Sequence, residues 1–285
     1  MPGYQFIHLE AYGFSASNRS PRPNSKSPDR KKEAKLTIQE VLDEAMRVKG
    51  ACPHIASPEV PTELFSKIPL EGIVAELQWR RDHSTDPRKR KIRKDARCLL
   101  AGVSSYPIRC AEIETDAQWA EAFRFFRETI NFLKKKFGDS LVNVSVHLDE
   151  EFPHCHFYCL PKAGHGKFNM LYLHPGITAQ ENVLPARKGG SKEERKLRDQ
   201  AYVEAMRLFQ NDYYDEVAVL FGMDRIGPRR ERLSRDEWQS RQRENDRKAL
   251  ETKLWRDRLE LAEERSRAAE ERVRELEALL VKPEA

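Results

Sequence analysis

Three histidines, His147, His154 and His156, fall within the stretch 142–160, VNVSVHLDEEFPHCHFYCL. In its first half Val142, Val144, Val146 and Leu148 alternate with Asn143, Ser145 and His147, the two-residue period of a half-buried strand. An acidic turn follows, Asp149-Glu150-Glu151-Phe152-Pro153, and then a second extended run in which His154 and His156 point to one face. Pairing the two runs as a hairpin brings His147 beside both. Imidazole suits a range of divalent ions, and three of them with open positions leave room for a phosphate oxygen. A cation so held polarises a phosphodiester and takes up charge on its oxygens during in-line attack. Asp149 or Glu150 has the chemistry to orient a histidine from behind or to act as a general base. One histidine alone would read as a satisfied core or surface side chain. Three so close, two of them at i and i+2 on a strand, do not. His147-Leu148-Asp149 also mimics the His-x-Asp of iron oxygenases, but their triad needs a distant second histidine, and here the others lie only a few residues on.

The hairpin needs a domain around it, and 285 residues suffice for one sizeable domain with an extension, or for two small ones. Charged residues make up 34% of the chain against 39% hydrophobic, which points to an exposed helix or tail outside the core. The net charge of +5 is compatible with nucleic acid as a partner without requiring it. No apolar run approaches the roughly 18 residues of a membrane-spanning helix. The opening MPGYQFIHLEAYGF lacks a basic start followed by an apolar block, so no signal peptide and a cytoplasmic location are expected. Five irregularly spaced cysteines read as free thiols in a reducing compartment.

In chain order, 4–12 alternates Ile7, Leu9 and Ala11 against polar and aromatic residues and reads as an opening strand. The Ser-, Pro- and Arg-rich 13–35 reads as a mobile basic loop. Thr37-x-x-Glu40 is a capping box for a helix carrying Ile38, Val41, Leu42, Ala45 and Val48 and ending at Gly50. A proline-broken loop containing His54 follows, and then a helix over 69–83 with Leu70, Ile73, Val74 and Leu77 inward. The densest charge cluster, Arg88, Lys89, Arg90, Lys91, Arg93 and Lys94, precedes a buried strand at 98–104. Thr115 or Asp116 caps an amphipathic helix with Trp119, Phe123, Phe126, Ile130, Leu133 and Phe137 inward, ended by Gly138. Beyond the hairpin come a short strand at 168–173, a helix capped by Ser191-x-x-Glu194 and ending at Gly222, and a charged tail. In that tail Trp255, Leu259, Ala262, Ser266, Ala269, Val273, Leu276 and Leu280 form a weak coiled-coil seam. The pattern predicts an α+β domain over 1–228, with helices on one face of an antiparallel sheet, and a coiled-coil tail over 229–285.

His147-Leu148-Asp149-Glu150-x-x-Pro153-His154-x-His156-Phe157 resembles the HxDExxPHxH signature of the Mob/Pre relaxases, plasmid mobilisation and recombination enzymes of the MobV type. Ile92-Arg93-Lys94-Asp95-Ala96, the helix before the hairpin and the spacing between them are similar as well, over roughly residues 1–228. The resemblance implies an HUH-type endonuclease fold, an antiparallel sheet whose histidine cluster binds Mg²⁺ or Mn²⁺. It implies nicking of one DNA strand at a transfer origin with a covalent 5′-phosphoryl enzyme. It carries metal ligation to His147, His154 and His156 and a supporting carboxylate role to Glu150.

Such relaxases take their nucleophile, a tyrosine or histidine, from the N-terminal part of the chain. This sequence has Ser17-Asn18-Arg19 without the preceding histidine of some members, lacks their Asn-Tyr-Glu-Leu, and has Phe137 where several have tyrosine. His54 and Tyr12 are the candidates that remain. The cations at 88–94 are candidates to grip backbone phosphates. In the tail arginines and glutamates nearly cancel, so its expected role is self-association. A rolling-circle replication initiator shares the histidine cluster and is the alternative enzyme; a non-cleaving DNA-binding protein with a structural metal is the alternative outside enzymes.

Overall fold

Five strands form one antiparallel sheet in the order β1-β3-β5-β4-β2: β1 Phe6–Gly13, β2 Thr62–Ser66, β3 Arg97–Ser105, β4 Leu141–His147 and β5 His154–Cys159. They come from a computed structural model that describes residues 3–15, 36–53, 55, 57–184, 190–227 and Arg272. Pro2–Gly227 is one compact unit. Most of the basic loop and the coiled-coil seam expected in the tail lie outside the described residues, as does His54.

Both faces of the sheet are buried. On one, Ile7, Leu9 and Ala11 of β1, Leu100 of β3, Val144 and Val146 of β4 and Phe157 of β5 pack against α3 (Asp116–Phe137) and α5 (Lys192–Glu216). An aromatic cluster fills that layer; Phe132 meets Tyr213 edge-on at 5.2 Å. The buried Tyr213 hydroxyl bonds Ser104 Oγ at 2.7 Å and Thr129 Oγ1 at 2.9 Å, tying β3, α3 and α5 together. On the other face Leu99, Ala101, Val142, Tyr158 and Leu160 pack against α1 (Ile38–Ala45) and α2 (Ile73–Asp82). The α+β class and the antiparallel sheet are as expected; confinement of the helices to one face is not. The apolar stripe Ile38, Leu42, Ala45 on α1 and the pair Ile73, Leu77 on α2 needed a surface of their own, and the second face of the sheet supplies it.

The caps form as read: Thr37 with Glu40, Thr115 with Gln118, and Ser191 with Glu194, each a reciprocal capping box. Gly138 (φ 52°) and Gly222 (φ 63°) end their segments in conformations that suit glycine. Several local expectations need correcting. α1 stops at Ala45 rather than Gly50, because Arg47 adopts a left-handed φ of 58°. β2 lies within the stretch read as loop; flanked by Pro61 and exposed along most of its length, it carries little apolar pattern. Residues 168–173 form bends and turns, not a strand, and are followed by α4 (Pro175–Val183), a helix in a stretch that reads as loop. Phe123 is 38% exposed rather than buried, and Phe125, Thr129 and Phe132 join the buried stripe of α3 instead. Val142 crosses to the α1 side of the sheet because the β4–β5 register shifts between Leu141 and Asn143.

Candidate metal centre

In the β4–β5 ladder His147 stands directly opposite His154, and Ser145 opposite His156. The three rings converge on the α1 side of the sheet, with centroids 4.8–5.2 Å apart. One nitrogen from each lies within 4.8 Å of the others, and a nitrogen of His147 likewise groups with carboxylate oxygens of Asp149 and Glu150. His147 and His154 are buried, while an edge of His156 stays open to a cleft of about 330 Å³ that also takes in Glu44, Arg47, Ser105, Glu150 and Phe152.

The protonation of the rings follows from their surroundings. Burial pushes the His147 imidazole down to about 3, with the Arg47 charge and His154 adding to the effect against Asp149. Desolvation drives His156 well below the usual histidine range, and His147, His154 and Arg47 push the same way. Both rings are therefore neutral at physiological pH, the form that ligates a metal. His154 Nδ1 lies 2.9 Å from the Phe152 carbonyl, an acceptor that holds a proton on that nitrogen and turns Nε2 towards Glu150 Oε1 at 3.7 Å. Neither nitrogen of His147 meets hydrogen-bond geometry with any protein group, although the Ala45 carbonyl is near enough to hold its pKa up a little. A buried ring with both nitrogens unsatisfied costs stability unless something completes it. A divalent ion shared with His154 and His156 fits these donors.

Arg47, just past α1, reaches the acidic turn. Its Nε donates to Asp149 Oδ2 at 2.9 Å and its Nη2 to Asp149 Oδ1 at 2.7 Å, a forked pair, while Nη2 also donates to Glu150 Oε1 at 2.8 Å. The Glu59 amide donates to Asp149 Oδ2 at 3.0 Å. Burial raises the Asp149 carboxyl, but Arg47 and the Glu59 N–H outweigh it and bring it to about 2. Sequence reasoning missed Arg47. Its partners are more than a hundred residues away in a chain with 51 lysines and arginines, and no local pattern marks it.

The other expected site residues are not gathered here. Tyr12 shares the histidine face, but it pairs with Leu99, four residues along β3 from the Val103 that pairs with His156, or about 13 Å away at strand rise. His54 is outside the described residues; its neighbours are not. Cys52 Sγ donates to the Glu44 carbonyl at 3.2 Å, and Ile55 lines a cavity of about 560 Å³ with Arg109, Cys110, Asp149, Glu150 and Glu151. The basic segment is an ordered turn at the far end of the sheet. Asp86 accepts from the Arg88 and Arg90 amides at 2.8 Å, and Lys89 takes a φ of 59°. Arg90 is paired with Asp86 and Arg93 with Asp95, whereas Arg88, Lys89, Lys91 and Lys94 are exposed with no ion-pair partner among the described residues. All five cysteines are free thiols.

Fold and site together define the class: an α+β protein whose central hairpin presents three ligand-ready imidazoles beside two carboxylates clamped by a buried arginine. The model of the plasmid recombination enzyme (Mob/Pre) family matches residues 81–225, half of the chain and the whole hairpin, and the chain belongs to that family. Plasmid recombination enzyme type 1 of Staphylococcus aureus is 33% identical over 82 residues, 28% of this chain and 20% of that protein. The match thus spans about a fifth of the curated relative's length. Among solved structures, a MobM relaxase domain bound to plasmid pMV158 oriT DNA, with Mn bound, is similar at 16% identity and a TM-score of 0.42, covering 84% of this chain and 98% of that one. A second MobM structure, bound to a 26-nucleotide oriT DNA, gives 14% identity and a TM-score of 0.40 over 83% and 99%.

Proposed function

We propose that the protein is a metal-dependent relaxase that nicks one DNA strand at a plasmid transfer or recombination site by transesterification. The observation that carries this reading is the convergence of three imidazoles within 4.8 Å, with His147 left unsatisfied by protein groups, in a chain of the plasmid recombination enzyme family. His147, His154 and His156 would hold Mn²⁺ or Mg²⁺. Such an ion supplies Lewis-acid polarisation of the scissile phosphodiester and takes up charge on its oxygens. The residues do the rest. Phe152 holds the His154 tautomer, and Glu150, 33% exposed at its side chain, faces the cleft where it can accept a proton from an attacking group. The nucleophile's attack on phosphorus forms a 5′-phosphoryl-enzyme bond, and the departing 3′ oxygen takes up a proton.

His54 is the preferred nucleophile, supported by Cys52 and Ile55 lying beside Glu44 and Glu150, with Tyr12 second because of its distance along the strand. Arg88, Lys89, Arg90, Lys91, Arg93 and Lys94 would grip DNA away from the chemistry, at the opposite end of the sheet. A boundary near 228 is supported by the compact unit that ends at Gly227; the tail beyond it would serve self-association. No described helix is long and apolar enough to cross a membrane, and a cytoplasmic site of action accords with a DNA substrate.

The test is supercoiled origin DNA with Mn²⁺, scored for open circles and protein-linked ends, with mass spectrometry to locate the adduct on His54 or Tyr12. Wild type should nick, and His154→Ala and His156→Ala should not. A wild type that binds the metal and never nicks is a DNA-binding protein with a structural ion, and nicking undiminished in both variants removes the site from the reaction.

A further inference from the structure

Arg47 is the residue on which the geometry around the histidines converges, and it lies outside the span that matches the family model. A guanidinium has five N–H donors, and each has an acceptor here. Nε and one Nη2 proton go to Asp149, and the second Nη2 proton to Glu150. The two on Nη1 go to the Glu44 carbonyl at 3.3 Å and, weakly, to Cys52 Sγ at 3.8 Å. The side chain is 3% exposed and that of Asp149 2%. The backbone at Arg47 holds a φ of 58°, which a non-glycine residue adopts only where its surroundings fix it. One planar group therefore joins three segments: the last turn of α1 at Glu44, the chain at Cys52, and the turn between β4 and β5, whose Asp149 in turn accepts from the Glu59 amide. That turn carries both groups that set the ligand at His154, namely the Phe152 carbonyl on Nδ1 and the Glu150 carboxylate 3.7 Å from Nε2.

We propose that Arg47 is the positioning residue of the histidine centre: by holding Asp149 and Glu150 it fixes the 148–153 turn, and through Phe152 and Glu150 it sets the tautomer and orientation of His154. The role needs Arg47's fork and not merely its charge, since a lysine ammonium directs its donors from a single nitrogen and lacks the planar Nε/Nη2 pair that takes both Asp149 oxygens while Nη2 also reaches Glu150. The inference rests on the reading of the histidines as a metal centre, but its first readout needs neither metal nor DNA.

The experiment compares full-length wild type with Arg47→Lys, which keeps the buried positive charge, and with the doubly neutral Arg47→Met/Asp149→Leu, in case an unmatched lysine unfolds the chain; circular dichroism checks that each is folded. The histidine tautomers of the metal-free protein are read by long-range ¹H–¹⁵N correlation, Mn²⁺ affinity by calorimetry with the metal alone, and nicking on origin DNA. With the spectra taken at alkaline pH so that the imidazole is neutral, wild type should show a single Nδ1-protonated form of His154. The folded variants should show mixed tautomers and a Mn²⁺ affinity lower by about tenfold or more. An unchanged His154 tautomer together with Mn²⁺ affinity within about twofold of wild type overturns the proposal. If wild type fails to nick, the relaxase reading falls while tautomer and affinity still decide the role of Arg47; if wild type binds no metal, the tautomer decides it.

Discussion

At the scale of the residue, the centre is built from groups whose charged or neutral forms are set by burial. Because His147 is held near 3 in the fold against an ordinary value of 6.5, the unfolded chain binds more protons between those limits. Stability should therefore fall as pH drops from about 6.5 towards 3. Asp149, held near 2 against 3.8, adds a further loss below 3.8. Thermal melts between pH 7 and pH 3 should show the decline, and His147→Gln should flatten its upper part; a melting temperature flat from pH 7 to pH 4 would contradict the burial argument. Breaking the buried pair with Arg47→Ala should cost about 3–5 kcal/mol, because it strands the Asp149 charge, whereas Arg47→Met/Asp149→Leu should cost clearly less. Urea titration measures both. The histidines were legible in the sequence because a strand repeats every two residues, so the spacing of His154 and His156 alone announced a shared face. Arg47 was not, because its role depends on a contact across 102 residues and on a backbone angle that no propensity signals.

At the scale of the element, the β4–β5 hairpin works because its neighbours leave it no slack. The Phe157 ring of β5 lies over Gly102 of β3, where a Cβ would sit 2.1 Å from Phe157 Cζ and 2.5 Å from the His8 carbonyl oxygen of β1. Gly102→Ala should push Phe157 out of its rotamer and cost on the order of 1–3 kcal/mol. The same shift passes along β5 to His156, so Mn²⁺ affinity should drop with stability; a variant as stable as wild type would show that the strands have room to spare. The long helices were legible from their caps and stripes, and most of the sheet from its alternation; the short helix Pro175–Val183, with a single buried position at Gly176, was not. What escaped was whatever breaks a period: the shifted register that sends Val142 to the other face, and β2, an edge strand with almost no buried side chains. The second helical layer escaped for a related reason. A helix stripe shows that a surface is needed, not which one.

At the scale of the whole molecule, the basic turn and the histidine centre stand at opposite ends of the sheet, some 20 Å apart by strand rise from Arg97 to Val103. Replacing Arg88, Lys89, Lys91 and Lys94 with alanine should weaken DNA binding and lower its salt dependence, by about one unit of slope for each phosphate no longer neutralised, with the nicking rate of bound DNA little changed. Filter binding across a salt series checks this, and an unaltered slope removes the turn from the interface. The two clefts at the hairpin end have the opposite electrostatic character. Among the described residues, Glu44, Asp149, Glu150 and Glu151 line them against Arg47 and Arg109, and every proton of Arg47 is already committed to a protein acceptor. A phosphodiester arriving at bare protein meets an excess of two negative charges, an excess that one divalent cation cancels. Occupancy by a cation held by His147, His154 and His156 would thus decide whether a DNA backbone is tolerated beside these carboxylates.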